Sequence, residues 1–178
     1  MPLSAPLIIT DATPDDLAAV QQIYAYHVLY GAASFEETPP TCEEMQQRCN
    51  KVQEAGLPWL VAKREDRVVG YCYATPYRPR PAYRFTVEDS VYIAEGLQGN
   101  GIGKALLAEL IARCERGPWR QMLAIVGNAE DNQGSLALHR KLGFTSVGTL
   151  KAVGFKLGEW RDTHIMQRAL SGGDGNRP

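Results

Sequence analysis

Several residues in this chain have types and spacing suited to chemistry. Gly96, Gly99, Gly101 and Gly103 crowd a short stretch between the apolar run Thr86–Ile93 and a helical pattern beginning near Ile102. A strand that feeds a glycine-rich turn and a helix N-terminus is a site for anions. The first helical N–H groups have no intrahelical acceptor, and the helix dipole favours negative charge there. Glycine also lets the backbone approach phosphate oxygens. The stretch Gln98, Gly99, Asn100, Gly101, Ile102, Gly103 and Lys104 is therefore a candidate phosphate site. It is neither of two common phosphate loops. A Walker A loop needs Gly at Gln98 and Ser or Thr at Ala105, and a dinucleotide fingerprint read from Gly101 needs Gly at Leu106.

Just upstream, strand alternation puts Thr86, Glu88, Ser90 and Tyr92 on one face and Val87, Asp89, Val91 and Ile93 on the other. A carboxylate in a central strand beside a phosphate loop is partly desolvated, which raises its pKa and suits it to accept a proton near neutral pH. Glu88 is the candidate base and Asp89 the alternative. The proline-rich segment Tyr77–Phe85 offers Arg78, Arg80 and Arg84, whose guanidinium forks suit anionic groups. A solvated basic loop is the plainer reading of the same residues. Phe35 either covers a ligand or plugs the core beneath its loop. His27 and His164 are read as structural.

The elements that must position these groups can be read in order. Pro6–Asp11 is a strand, and Thr13-Pro14-Asp15-Asp16 starts a helix with Leu17, Val20, Ile23, Tyr24, His27 and Val28 on one face. Thr41-Cys42-Glu43-Glu44 is a capping-box signature for a second helix, closed by Gly56. Trp59–Lys63 and Val68–Thr75 read as a hairpin, and Thr86–Ile93 as the central strand. A helix from Ile102 stops at Gly117-Pro118. Met122–Val126 is a short strand, and Asn132–Leu142 a helix ended by Gly143. Thr145–Lys151 and Thr163–Arg168 are the last strands, linked by Val153–Asp162. This order predicts an α+β fold in three layers: a single domain with a mostly antiparallel central sheet and helices on both faces.

A chain of 178 residues suffices for one domain with a sizeable core. A net charge of −1 argues against a nucleic-acid partner, which would want a basic face. No apolar run approaches the length of a membrane span, and no signal-peptide pattern opens the chain. The four cysteines form no C-x-x-C pair and suggest no disulfide framework, so a reduced cytoplasmic setting is expected. Residues 1–170 are expected to form the domain and residues 171–178 a disordered tail.

Gln98-x-x-Gly101-x-Gly103, set between an apolar strand and an amphipathic helix, resembles the pyrophosphate loop of the GNAT superfamily of acyl-CoA-dependent N-acetyltransferases. Members commonly show Asn-x-x-(small)-x-x-x-Tyr-x-x-x-Gly-Phe in the penultimate helix. Asn132, Ser135, Gly143 and Phe144 hold that spacing here, with His139 in the Tyr position. Ser34-Phe35-Glu36-Glu37-Thr38, the strand Thr86-Val87-Glu88 with Ser90-Val91-Tyr92, and the segment from Gly154 to Asp162 are similar to phosphinothricin N-acetyltransferases and their relatives that acetylate methionine sulfoximine and methionine sulfone. The resemblance covers residues 7–170 and implies the same fold.

It further implies acetyl-CoA as co-substrate, no metal, and direct acetyl transfer to the α-amino group of a small amino-acid analogue in a ternary complex. Glu88 would be the base. The backbone of Val91, Tyr92 and Ile93 would hold the pantetheine arm, Gln98 through Lys104 the pyrophosphate, and Asn132 with Ser135 the cofactor from the penultimate helix. His139 would either protonate the departing thiolate or serve a structural role. Arg78, Arg80 and Phe35 would bind the acceptor, with Lys156 and Trp160 completing the pocket. Relatives of this kind are dimers, so a homodimer is expected. Two alternatives stand beside this reading: another amine acceptor (a polyamine, an aminoglycoside or a protein N-terminus), or a non-catalytic acyl-CoA-binding sensor.

Overall fold

A computed structural model describes residues 4–178. Its strands are β1 (Ile8–Asp11), β2 (Trp59–Arg64), β3 (Arg67–Pro76), β4 (Thr86–Ile93), β5 (Gln121–Gly127), β6 (Thr145–Lys156) and β7 (Glu159–Ala169). The helices are α1 (Leu17–Tyr30), α2 (Cys42–Glu54), α3 (Ile102–Glu115) and α4 (Gln133–Lys141). The strands form one seven-stranded sheet in the order β1-β2-β3-β4-β5-β7-β6. Every neighbouring pair is antiparallel except β4 and β5, so α3 is the crossover that a parallel pair requires.

Alternation along β4 explains the three layers. On its even face, the Tyr92 ring meets Tyr24 and His27 of α1 at centroid distances of 5.0 and 5.4 Å. On its odd face, Asp89 bonds His139 of α4, and Ile93 lies beneath Gly103 of α3. Helix α1, with α2 packed on it, therefore covers one face, and α3 and α4 the other. Strands β2 and β3 are sandwiched between them, which explains their nearly unbroken buried run through Leu60, Val61, Ala62, Val69, Tyr71, Cys72 and Ala74. From α3, the stripe Ile102, Leu106, Leu107, Leu110, Ile111 and Cys114 enters the same core.

The differences from the sequence reading are local. The first strand begins at Ile8, and α1 is preceded by one tight turn, Pro14–Asp16. There Asp16 accepts from Thr13 N at 2.9 Å and pairs with Lys63 at 2.8 Å. The segment Val153–Asp162, expected as a link, is mostly strand: β6 and β7 continue to a two-residue turn at Leu157-Gly158, both with positive φ. A bulge between Leu150 and Gly154 interrupts β6, with Ala152 at φ 52 and its N–H donated to Asp162. Residues 171–178, expected to be disordered, form turns against Arg120, which donates to Gly173 O and Arg177 O.

Candidate active site

The parallel ladder between β4 and β5 is short. Thr86, Val87 and Glu88 pair with Gln121, Met122 and Leu123, and there the ladder ends. Beyond it β4 stays with β3 as far as Ile93, while β5 stays with β7 as far as Gly127. The sheet is thus splayed into a V with Glu88 at its closed end. Thr86 O accepts from Tyr77 N, and Ala94 N donates to Val69 O, so even-numbered positions turn their main-chain groups towards β3. By alternation Asp89, Val91 and Ile93 turn theirs into the gap. His27 Nε2 donates to the Ile93 carbonyl at 2.7 Å, so this histidine, read as structural, also lines the opening.

A cleft of about 1030 Å³ fills the V. It brings together most of the residues singled out from sequence: Phe35, Glu88, Val91, Tyr92, Ile93, Gln98, Gly99, Gly101, Gly103, Lys104, Asn132, Ser135 and His139. Gly99 and Gly101 have φ of +81 and +78, a left-handed conformation that costs most side chains strain, and a Cβ on either would meet nothing within 4 Å. Their need for glycine is therefore conformational. The first helical bond of α3 runs from Ala105 N to Gly101 O, which leaves the Ile102, Gly103 and Lys104 N–H groups at the mouth. Asn100 braces the turn by donating to Leu97 O at 3.0 Å, and the Ile102 side chain is buried in the core. Those two contribute shape and main chain. Left-handed glycines, free N–H groups and an unpaired strand edge in one cleft fit a diphosphate on an amide-bearing arm.

Burial pushes the Glu88 carboxyl up, and the neighbouring Asp89 charge pushes it further. Asp89 is otherwise engaged. Both its oxygens lie 3.1 Å from His139 Nε2, while His139 Nδ1 lies 2.7 Å from Ser135 O. Carbonyl and carboxylate oxygens accept, so this geometry is satisfied when both ring nitrogens donate, in the imidazolium form. Burial alone would lower its pKa; the Asp89 pair more than offsets this, and the net shift is upward. The imidazolium ties α4 to β4 and keeps no N–H free for the cleft. Asn132 stands at the N-cap position of α4 but makes no side-chain cap. Its amide reaches back to Gly127 O and Asn128 O.

The arginine expectation changes. Arg78 and Arg80 do not line the cleft; Arg78 is fully exposed, with its guanidinium 5.2 Å from the Tyr77 ring centre. The topology gives the reason: the β3–β4 connection lies at the end where β4 and β5 are still paired, away from the open V. The guanidinium inside the cleft is Arg48 of α2, forked onto Glu36 at 2.9 and 2.6 Å. That fork, opposed by partial burial, holds the Glu36 carboxyl below its usual range. Glu36 also accepts from the Tyr24 hydroxyl, which lies 2.8 Å from Ser34 Oγ. The sequence signal for Arg48 was faint: a charge between Met45 and Cys49, both on the buried face of α2. Neither Lys156, which is buried, nor Trp160, which is largely exposed, lines the cleft.

A splayed sheet with a glycine turn at its open end and a half-buried carboxylate at its closed end defines an acyl-CoA-type transferase fold. Comparison with known proteins agrees. The pattern of the Acetyltransferase (GNAT) family matches residues 21–144, and the chain belongs to that family. It is 58% identical to phosphinothricin N-acetyltransferase of Alcaligenes faecalis, over 92% of this chain and 83% of that one. It is 34% identical to the L-methionine sulfoximine/L-methionine sulfone acetyltransferase of Salmonella typhimurium, over 92% and 95% of the two chains. Among solved structures, a GNAT superfamily phosphinothricin acetyltransferase from Sinorhizobium meliloti in complex with AcCoA superposes with a TM-score of 0.94 at 47% identity, covering 97% of this chain and 92% of that one.

Proposed function

We propose that this chain is an acetyl-CoA-dependent N-acetyltransferase that acetylates the α-amino group of a small amino-acid analogue of the phosphinothricin, methionine sulfoximine or methionine sulfone type. The observation that carries the reading is the splayed β4–β5 pair, with Glu88 at its apex, in a chain 58% identical to an enzyme of that activity. Bound acetyl-CoA supplies an activated acyl thioester. Residues Gln98–Lys104 hold the diphosphate, chiefly through main-chain N–H groups, with Lys104 adding positive charge. The main chain of Val91 and Ile93 takes the amide-bearing arm, Tyr92 contributes its ring, and Asn132 and Ser135 border the arm from α4.

Glu88 takes the proton from the acceptor ammonium, directly or through one water, and the freed nitrogen attacks the acyl carbon. An N–H from the free edge of β4 stabilises the negative charge that develops on the acyl oxygen. The carbon–sulfur bond then breaks, the new amide nitrogen sheds its remaining extra proton, and that proton goes to the departing thiolate, which leaves as CoA thiol. Holding both reactants beside Glu88 supplies orientation and requires no acyl-enzyme. His139 acts as a positioning residue through Asp89. Phe35 borders the acceptor.

A homodimer belongs to the proposal. Val147, Leu150, Val153, Phe155, Leu157 and Trp160 leave an apolar strip exposed along β6 and β7, and β6 is an edge strand. A dimer would also give the loop carrying Arg78 and Arg80 a route to a partner's cleft. The domain is assigned to residues 1–170, of which 1–3 lie outside the described residues. A cytoplasmic setting is supported by the free thiols Cys42, Cys49, Cys72 and Cys114. Among the described residues no helix is long and apolar enough to cross a membrane.

Release of CoA thiol from acetyl-CoA tests the function, with phosphinothricin, methionine sulfoximine, methionine sulfone, common amino acids, spermidine and an aminoglycoside as acceptors. Saturable turnover confined to the first three is expected. Turnover with the cationic amines alone would overturn the acceptor assignment, and tight acetyl-CoA binding without any turnover would favour a sensor.

A further inference from the structure

Two glycines of the sheet owe their identity to space rather than to backbone angle. Neither Gly127 of β5 nor Gly154 of β6 has a positive φ. A methyl group on Gly127 would come within 2.8 Å of Ala32 O and 3.0 Å of Phe35 Cε1, and one on Gly154 would overlap the edge of the Phe35 ring. The ring therefore occupies the volume that two missing side chains leave. Two residue pairs further along the same hairpin, the buried Lys156 donates to Ser34 O at 2.6 Å. A third attachment comes from the opposite side, where Arg48 and Tyr24 hold Glu36. The residues before and after Phe35 are thus fastened, and the ring between them is wedged against the end of the β6–β7 hairpin. Phe35, Gly127 and Glu88 line one cleft.

We infer that Gly154 and Lys156 are specificity-determining positions for the acceptor, acting through Phe35. The inference rests on the acetyltransferase reading for its kinetic arm only. Gly154 sets how deeply the ring sits, and hence how much room the cleft leaves beside Glu88. Lys156 keeps the loop from lifting the ring away. The bulge at residues 151–153, clamped by Asp162 through Ala152 N at 2.7 Å and Lys151 Nζ at 3.1 Å, registers Gly154 opposite the ring.

The test is a double-mutant cycle with Gly154→Ala made in both the native chain and the Phe35→Ala chain. An added methyl that displaces an aromatic wall should raise the KM of the larger acceptors by about tenfold or more. The KM of acetyl-CoA should stay within about twofold, since none of these residues belongs to the glycine turn. In the Phe35→Ala chain the same substitution should change little. Amide hydrogen exchange across residues 32–36 reads the wedge without any turnover and should speed up in both Gly154→Ala and Lys156→Met. Equal effects of Gly154→Ala in the two backgrounds, or unchanged exchange in both variants, overturn the inference. Faster exchange in a chain that acetylates no tested amine would leave the wedge standing and remove the acceptor reading instead. Should Gly154→Ala fail to fold, Lys156→Met carries both readouts alone.

Discussion

At the scale of single residues, burial decides which carboxylate does what. Glu88 and Asp89 are neighbours in sequence, yet alternation sends one to the cleft and the other to an imidazolium. Glu88→Gln keeps the shape and removes the base, so kcat should fall by about 10²–10⁴ while the KM of acetyl-CoA is retained. The low-pH limb of the native kcat/KM profile should lie above the ordinary value of 4.5 and vanish in the variant; a limb that survives would assign it to another group. His139→Gln should behave differently, losing no more than about tenfold in kcat, because a direct proton donor would be worth about 10²–10⁴. Its signature is in stability. A histidine whose folded pKa is raised contributes fully below its unfolded value of 6.5, and that contribution is lost as pH rises through the folded pKa. The Tm gap between native and His139→Gln chains should therefore shrink above pH 6.5; a gap independent of pH would mean that the pair carries no extra proton. The sequence showed His139 and Asp89 as separate candidates. Their pairing became visible only when the fold brought β4 against α4, fifty positions away in the chain.

At the scale of elements, local chemistry announced itself and long-range register did not. The glycine turn was legible because Gly99 and Gly101 each need φ near +80, and few other residues tolerate that. Gly101→Ala should cost about 1–2 kcal/mol of conformational strain, with open space around the new methyl. If the turn cradles a diphosphate, the KM of acetyl-CoA should rise by about tenfold with acceptor KM unchanged; a rise in acceptor KM alone would place the cofactor elsewhere. The splay of β4 from β5 could not be read from composition, since it depends on where a parallel ladder stops. The extent of β6 and β7 was missed for a related reason. Leu157 takes a left-handed φ of 54 at the hairpin turn, a conformation that a leucine gives no reason to expect. The arginine loop was legible as a basic loop and illegible as a location, because only the topology shows at which end of the V it hangs.

At the scale of the whole molecule, those two facts bear on each other. One chain puts Arg78 and Arg80 outside its own cleft and leaves an apolar strip on the β6–β7 edge. The strip's side chains are roughly half exposed, and covering the remainder is worth about 1 kcal/mol each. Summed over two subunits this is comparable to the association cost of about 4–15 kcal/mol. Apolar burial alone is thus marginal, so a single charge in the strip should decide the equilibrium. The native chain should sediment as a dimer at micromolar concentration and Phe155→Asp as a monomer; a native monomer would remove the assembly from the proposal. Whether the dimer also completes the site is a separate question with its own answer. A Glu88→Gln chain lacks a base but keeps its arginines, and an Arg78→Ala/Arg80→Ala chain lacks arginines but keeps its base. Each alone should turn over poorly. If the loop serves the partner's cleft, a mixed dimer regains one cleft with both base and arginines, and statistical mixing should restore activity to about a quarter of the native level. If each loop serves its own chain, or serves no acceptor at all, mixing restores nothing beyond the sum of the two preparations.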